Sequence, residues 1–249
     1  MAINTDNRSW IPVVWDAPPW VKAGTSTRHG GNSRGTYNTL NLAMHVGDDP
    51  AMVAVNRRYL SGLLKLPAQP VWLNQTHSNR ITNADNSANT DADGIYTSQA
   101  GVVCTIMTAD CVPLLFCNAA GTKIAAVHVG WRGFCAGIIP DALSYFNGEI
   151  ESMLAWIGPH IRTDHYEVGE DVRTPCVNKH HKMNKAFHRN PAGRWQADLE
   201  MLVRQELALH GVSRIFSAGL CTYEHCADFF SYRRDKQTGR TASMIWLDK

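Results

Sequence analysis

Three side chains in this sequence combine a reactive type with a telling position: His77, Cys111 and His128. His77 closes the polar turn Asn74-Gln-Thr-His77 after a short apolar run. Cys111 directly follows Asp110 between two long apolar runs, and His128 ends a third. Side chains at strand ends and turns have a fixed origin and open access, which suits catalysis and binding. Two imidazoles and a thiolate make a three-ligand zinc set with one position open to water, as in catalytic rather than structural centres. Each residue also has a plainer reading. A cysteine between apolar strands commonly packs as a small hydrophobe, and a histidine at a strand end is commonly just hydrogen-bonded. The three lie too far apart in sequence for spacing to decide.

Two arginines sit beside glycines, in Thr27-Arg-His-Gly-Gly31 and Gly130-Trp-Arg-Gly133. Arg28 and Arg132 are therefore candidate anion binders, because a guanidinium fork matches phosphate or carboxylate and the turns bring backbone N–H groups close. The plainer reading is a surface arginine next to a tight turn. Tyr232-Arg-Arg-Asp235 with Thr238-Gly-Arg240 reads as a charged hairpin turn. No G-x-G-x-x-G, Walker, H-E-x-x-H or G-x-S-x-G motif is present, nor the H-x-E with P-C-x-x-C of zinc deaminases.

The elements that must position these groups can be read from periodicity and caps. Asp49-Pro50 is an N-cap with proline at the first helical position, and the apolar face from Met52 to Leu64 predicts the helix behind it. Val71–Leu73 predicts a short strand. The runs 101–107, 112–117 and 124–127 predict three strands, the last two joined as a hairpin through Asn118–Gly121. A helix is expected over Ala136–Phe146, a strand over Met153–Ile157, and a helix after the cap Asp198 that closes at Gly211. Arg214–Ala218 and Ser243–Leu247 supply the last strands. Interleaved elements with several antiparallel strands give an α+β fold, and no linker divides residues 1–249, so one domain is expected.

Composition narrows the class. The 249 residues carry a net charge of +2, too little for a nucleic-acid footprint. At 44% apolar and 18% charged the chain is ordinary globular protein, and no apolar run approaches a membrane span. Met1–Asp16 is too polar for a secretory signal. The seven cysteines form no C-x-x-C pair, which fits reduced thiols in the cytoplasm.

Asn74-Gln-Thr-His77, Thr108-Ala-Asp-Cys-Val-Pro113 and Ala126-Val-His-Val-Gly-Trp-Arg-Gly133 resemble the motifs of the YfiH-like, or laccase-domain, family. Leu40-Asn-Leu42, Asn56-Arg57, Tyr166-Glu-Val-Gly169 and Phe229-Phe-Ser-Tyr-Arg-Arg-Asp235 extend the resemblance to nearly the whole chain. It implies a layered α/β/β/α domain with mixed sheets, similar to the catalytic domain of cytotoxic necrotizing factors. It also implies a zinc held by His77, Cys111 and His128. The chain departs from the pattern in two places. Thr76 and Ser78 flank the histidine where Q-V-H-G is usual, and Gly158-Pro-His-Ile-Arg162 replaces G-P-C-I-G, putting His160 and Arg162 near the expected pocket rim.

The resemblance implies three activities. The first is phosphorolysis of purine nucleosides with adenosine deamination at the same site. There Arg28 and Arg132 would hold phosphate, His45 would line the pocket, and Asp110 would carry a proton, its plainer role being to cap the turn. The second is hydrolytic removal of misincorporated L-Ser from peptidoglycan precursors, by zinc or by Cys111 as a free thiolate with His128 as base. The third, copper-dependent polyphenol oxidation, needs histidine pairs for a trinuclear cluster. The eleven histidines form no H-x-H, although His77, Cys111 and His128 also suit one copper. The expected partners are a purine nucleoside and phosphate, not nucleic acid or membrane.

Overall fold

The computed structural model describes residues 8–86 and 90–248; Met1–Asn7, which begin the polar N-terminal segment, lie outside them. In chain order the strands are β1 (Trp10–Pro12), β2 (Val21–Ser26), β3 (Ile81–Asn83), β4 (Gly94–Thr97), β5 (Val103–Thr108) and β6 (Val112–Cys117). They continue as β7 (Ile124–Val129), β8 (Leu154–Ile157), β9 (Glu167–Val168), β10 (Phe187–Arg189), β11 (Trp195–Ala197), β12 (Arg214–Ser217) and β13 (Thr241–Leu247). The helices are α1 (Pro50–Leu64), α2 (Trp131–Ala136), α3 (Ile138–Leu143), α4 (Glu170–Lys179), α5 (Leu199–Leu209) and α6 (Tyr232–Asp235).

Two sheets carry the fold. One is antiparallel in the order β1-β2-β13-β5; the other is mixed, β12-β8-β6-β7-β4-β3, with parallel pairs at both edges. Because side chains alternate along a strand, an unbroken apolar run means that both faces are covered. In β6, Leu115 and Cys117 pack against Cys104 and Ile106 of β5 and Ile245 of β13, between the sheets. Val112, Leu114 and Phe116 face the other way, onto Phe134, Ile138, Leu202 and Val203 of the helices. On the far side, Val103, Met107, Met244 and Trp246 meet Leu40, Leu42 and Leu60. The layers are therefore α1, sheet, sheet, then α2 to α5. A small third sheet, β10-β11-β9, lies at the edge of the helical layer.

Local signals set several boundaries as expected. The Asp49 carboxylate accepts from the Ala51 N–H at 2.8 Å ahead of Pro50, and Asp198 accepts from Met201 N–H at 2.8 Å. The Asn118–Gly121 turn joins β6 and β7 as an antiparallel hairpin. Three expectations need correction. Val71–Leu73 makes only a single bridge, Val71 to Cys104, because the segment leaves the sheet at once for the Asn74–Ser78 turn. The helix expected over Ala136–Phe146 begins earlier, at Trp131, and breaks at Gly137, whose φ of +95° no regular helix tolerates. Residues 232–235 are the short helix α6, capped by the Ser231 hydroxyl, rather than a hairpin turn.

Candidate active site

The turn 108–111 carries the chain from one sheet to the other, since β5 pairs with β13 while β6 pairs with β7 and β8. Asp110 makes this crossing with φ at +99°, a conformation unfavourable for a side-chain-bearing residue. Its carboxylate is held by the Thr222 hydroxyl at 2.7 Å and by the Arg233 N–H at 2.6 Å. The carboxylate thus ties the turn to the segment around Thr222 and to the start of α6. Cys111 follows, half-buried, at the edge of β6.

His77 also has a positive φ, +61°. Its turn is tied down from two sides. Gln75 mimics a strand, donating to the Met107 carbonyl at 2.8 Å and accepting from the Met107 N–H at 2.7 Å. Asp93, fully buried just before β4, accepts from the N–H groups of Thr76, His77 and Ser78 at 3.1, 2.9 and 2.6 Å, and from the Ser78 hydroxyl at 2.7 Å. The same carboxylate accepts from His128 Nδ1 at 2.8 Å. One aspartate thus orders two of the three candidate ligands. Burial alone would raise its pKa, but the hydrogen bonds from His128 and Ser78 hold it far below the usual carboxylate range.

With Nδ1 committed to Asp93, His128 presents Nε2 to Cys111. Cys111 Sγ lies 3.8 Å from His77 Nε2, the two rings are 4.8 Å apart, and all three ligand atoms fall within 4.8 Å of one another. No other His, Cys, Asp or Glu ligand atom among the described residues joins this set, His45 included. Desolvation would raise the Cys111 thiol, but His128 and His77 bring it down to about 6. Desolvation would likewise lower His128, yet Cys111 and Asp93 raise it to about 9. A thiolate, two imidazoles and a carboxylate orienting one of them suit a divalent metal with an open position.

Gly130 and Gly133 allow α2 to approach this cluster. A Cβ on Gly130 would lie 2.7 Å from His77 Cδ2 and 3.2 Å from Cys111 Sγ; one on Gly133 would lie 2.8 Å from the Ser78 carbonyl. The glycines of Gly130-Trp-Arg-Gly133 thus serve close packing at the start of a helix.

A cavity of about 390 Å³ opens on the cluster, lined by Arg132, Arg233 and Arg240, by the Tyr166 and Tyr232 rings, and by His45. Arg132 lies over the Trp131 ring at 4.3 Å. Arg233 donates to the Glu167 carbonyl, and Arg240 to the carbonyls of Thr238 and Gly239. His77, Cys111, His128, Asp110, His45 and Arg132 are brought together. Arg28 is not among the lining residues: it donates to the Asn38 and Cys226 carbonyls and covers the Phe230 ring at 4.6 Å. His160 and Arg162 are also off the cavity wall. His160 is buried against the Gly158 carbonyl, and Arg162 pairs with Glu200 at 2.6 Å. Sequence reasoning missed Asp93, Arg233 and Arg240. The Asp-Gly step at Asp93-Gly94 reads as any turn, and the two arginines read as surface charge.

A layered α/β/β/α fold with an open His₂Cys cluster in a cationic cavity defines the class. Residues 22–248 match the family model described as multi-copper polyphenol oxidoreductase laccase. The chain is 46% identical to the purine nucleoside phosphorylase YfiH of Escherichia coli K12, over 95% of this chain and 98% of that one. It is 42% identical to a purine nucleoside phosphorylase of Pseudomonas aeruginosa, over 96% and 98%. Among solved structures, a Neisseria meningitidis protein superposes with a TM-score of 0.93 at 40% identity, covering 97% of this chain and all of that one. YlmD of Geobacillus stearothermophilus gives 0.87 at 30%, covering 99% of each. This chain belongs to the YfiH-like, laccase-domain family.

Proposed function

We propose that this protein is a zinc-dependent purine nucleoside phosphorylase that also deaminates adenosine at the same site, the whole chain working as one cytoplasmic YfiH-like domain. The observation that carries this reading is the cavity itself, where three arginines and two tyrosine rings surround an opening onto His77, Cys111 and His128. The phosphorylase names of the relatives agree with it.

His77 Nε2, Cys111 Sγ and His128 Nε2 would hold the metal. Zinc bound there supplies Lewis acidity and lowers the pKa of water to near 7, the chemistry deamination requires. Phosphorolysis asks mainly for positioning and charge stabilisation. Arg132 supplies a guanidinium to phosphate, and Arg233 and Arg240 add positive charge from fixed positions. The Tyr166 and Tyr232 rings suit the flat face of a purine. Asp110, the one carboxylate lining the cavity, takes the proton-carrying role while its hydrogen bonds keep Arg233 in place. The cavity lining contains three histidines, His45, His77 and His128, too few for the four coppers of a dioxygen-reducing oxidase.

A second reading has one specific observation behind it. The depressed Cys111 thiol beside the elevated His128 would also serve a free thiolate nucleophile, as hydrolytic editing of a serine-containing cell-wall precursor would need. The test is chromatographic. Zinc-loaded protein is incubated with adenosine and inosine, with and without phosphate, beside His77→Ala and Cys111→Ala. Phosphate-dependent release of base and ribose 1-phosphate, lost in both variants along with stoichiometric zinc, is the expected result. Full zinc occupancy with no nucleoside turnover would overturn the proposal and turn attention to the cell-wall precursor.

A further inference from the structure

Two cysteines outside the cluster stand within hydrogen-bond distance of each other across two helices. Cys135, near the end of α2, and Cys176, within α4, have their sulfurs 3.2 Å apart. A disulfide needs about 2.05 Å, so closing the bond takes a shift of about 1 Å. The two differ in access: Cys135 is half-buried, whereas Cys176 is fully buried behind it. The Lys179 ammonium, paired with Glu206 at 3.0 Å, sits on the same side and lies over the neighbouring Phe134 ring. We propose that Cys135 and Cys176 form a reactive dithiol that closes into a reversible intrachain disulfide on meeting a low-molecular-weight disulfide.

The order of events follows from access. The Cys135 thiolate attacks one sulfur of the small disulfide, forming a mixed disulfide and releasing one small thiolate. Cys176 then gives up its proton and attacks the Cys135 sulfur, forming the protein disulfide and releasing the second small thiolate. Two electrons pass from the protein sulfurs to the reagent, and the two protons end on the two small thiols. The hydrogen bond from Cys176, with help from Lys179, lowers the pKa of Cys135, which makes it the attacking sulfur. Its buried partner is raised, first by that same hydrogen bond, so Cys176 stays protonated until the mixed disulfide removes the Cys135 thiolate beside it. The bond would fasten α2, which carries Arg132, to α4, which follows Tyr166 through β9. Both walls of the cavity would then be tied together. This inference does not depend on the identity of the substrate.

Zinc-loaded protein is equilibrated with graded ratios of oxidised to reduced glutathione, quenched by alkylation, digested and mapped by mass spectrometry. The expected product is a cross-linked peptide pair containing Cys135 and Cys176, short of two hydrogens and reopened by dithiothreitol. Cys104 and Cys117, buried between the sheets, stay unmodified. Cys176→Ser should accumulate a glutathionyl adduct on Cys135, and Cys135→Ser should leave Cys176 unreacted. If the wild-type protein shows both cysteines alkylatable at every ratio, or a Cys135 adduct that never resolves, the proposal fails. The wild-type measurement decides the matter even if a serine at buried Cys176 impairs folding.

Discussion

Asp93→Asn changes one oxygen of a fully buried carboxylate into an amide, and the structure sets the cost. Oδ1 accepts from His77 N–H and His128 Nδ1, while Oδ2 accepts from Thr76 N–H, Ser78 N–H and the Ser78 hydroxyl. An asparagine can accept at only one of these positions. With its NH₂ at the Oδ1 site, the His77 N–H and His128 Nδ1–H both face a donor; at the Oδ2 site, the Thr76 and Ser78 N–H groups do, while the Ser78 hydroxyl can turn and accept. Hydrogen bonds to a charged group contribute about 1.5–3 kcal/mol each, so two lost contacts cost about 3–6 kcal/mol, of which about 1.5–3 kcal/mol remains at the His77 N–H if His128 shifts its proton. That is a large share of the roughly 5–15 kcal/mol that stabilises a domain.

The metal site should suffer separately. His128 can relieve its clash by shifting its proton to Nε2 so that Nδ1 accepts from the amide, but Nε2 then has no lone pair for a metal. A fall in zinc affinity of about 10–100-fold is expected, the usual result of removing a ligand's orienting partner. Urea unfolding of the metal-free protein reads the first effect, and competition with a chromophoric chelator reads the second. Ser78→Ala, which removes one charged contact to Asp93 and the longer bond accepted from the Arg80 N–H at 3.3 Å, should cost about 1.5–3 kcal/mol and provides a second point on the scale. An Asp93→Asn protein within about 1 kcal/mol of wild type that binds zinc normally would refute the role given to this carboxylate.

Other substitutions separate site from scaffold. Gly130→Ala should fold but lose stoichiometric zinc in elemental analysis, since its Cβ would press on His77 and Cys111. Arg132→Ala should raise the KM for phosphate about 10-fold or more with an unchanged melting temperature, as expected for loss of a charged contact to the substrate. Arg28→Ala should do the reverse, lowering the melting temperature through its lost contacts to the Asn38 and Cys226 carbonyls while leaving that KM alone. Glu200, in α5, pairs with Arg162 of the segment after β8 and with Arg204 one turn along its own helix, at 2.6 and 2.7 Å. Burial would raise its carboxyl, but Arg204, His160 and Arg162 hold it below the ordinary value. Its stabilising effect is therefore full above the usual carboxylate range and fades as pH falls through the depressed value. Glu200→Gln should flatten the acid side of the melting-temperature profile; an unchanged acid slope would contradict this.

Which parts of this molecule could be read from sequence follows from how each feature encodes itself. The strands β5, β6 and β7 announce themselves because a run apolar on both faces has few alternatives, and α1 and α5 because their caps are local chemistry. The layering is less direct: nothing in Thr108-Ala-Asp-Cys111 says that β5 and β6 belong to different sheets. That crossing depends on Asp110 holding a positive φ, and the groups that make it hold, Thr222 and the Arg233 N–H, are more than a hundred residues away. From residue chemistry alone the three candidate ligands read only as types at strand ends, and it is the motifs around them, through the family resemblance, that join them; their convergence within 4.8 Å is a product of the two packed sheets.

The glycines of Gly130-Trp-Arg-Gly133 show the ambiguity most sharply. A glycine in sequence signals a left-handed turn, a flexible loop or a close approach, and sequence alone leaves the anion-binding turn and the plain surface arginine both open. In the fold, Gly130 caps α2 in extended conformation, and its missing side chain is what the His77 ring occupies. Arg132 consequently projects from the first turn of a helix whose position is set by that contact. Arg28, with Gly30 and Gly31 two and three residues on, is spent on backbone carbonyls instead. Two arginines near glycines thus differ in what surrounds them: Arg28 is held by the Asn38 and Cys226 carbonyls away from the cavity, whereas Arg132 lines it, which is why phosphate binding is proposed for Arg132 and not for Arg28.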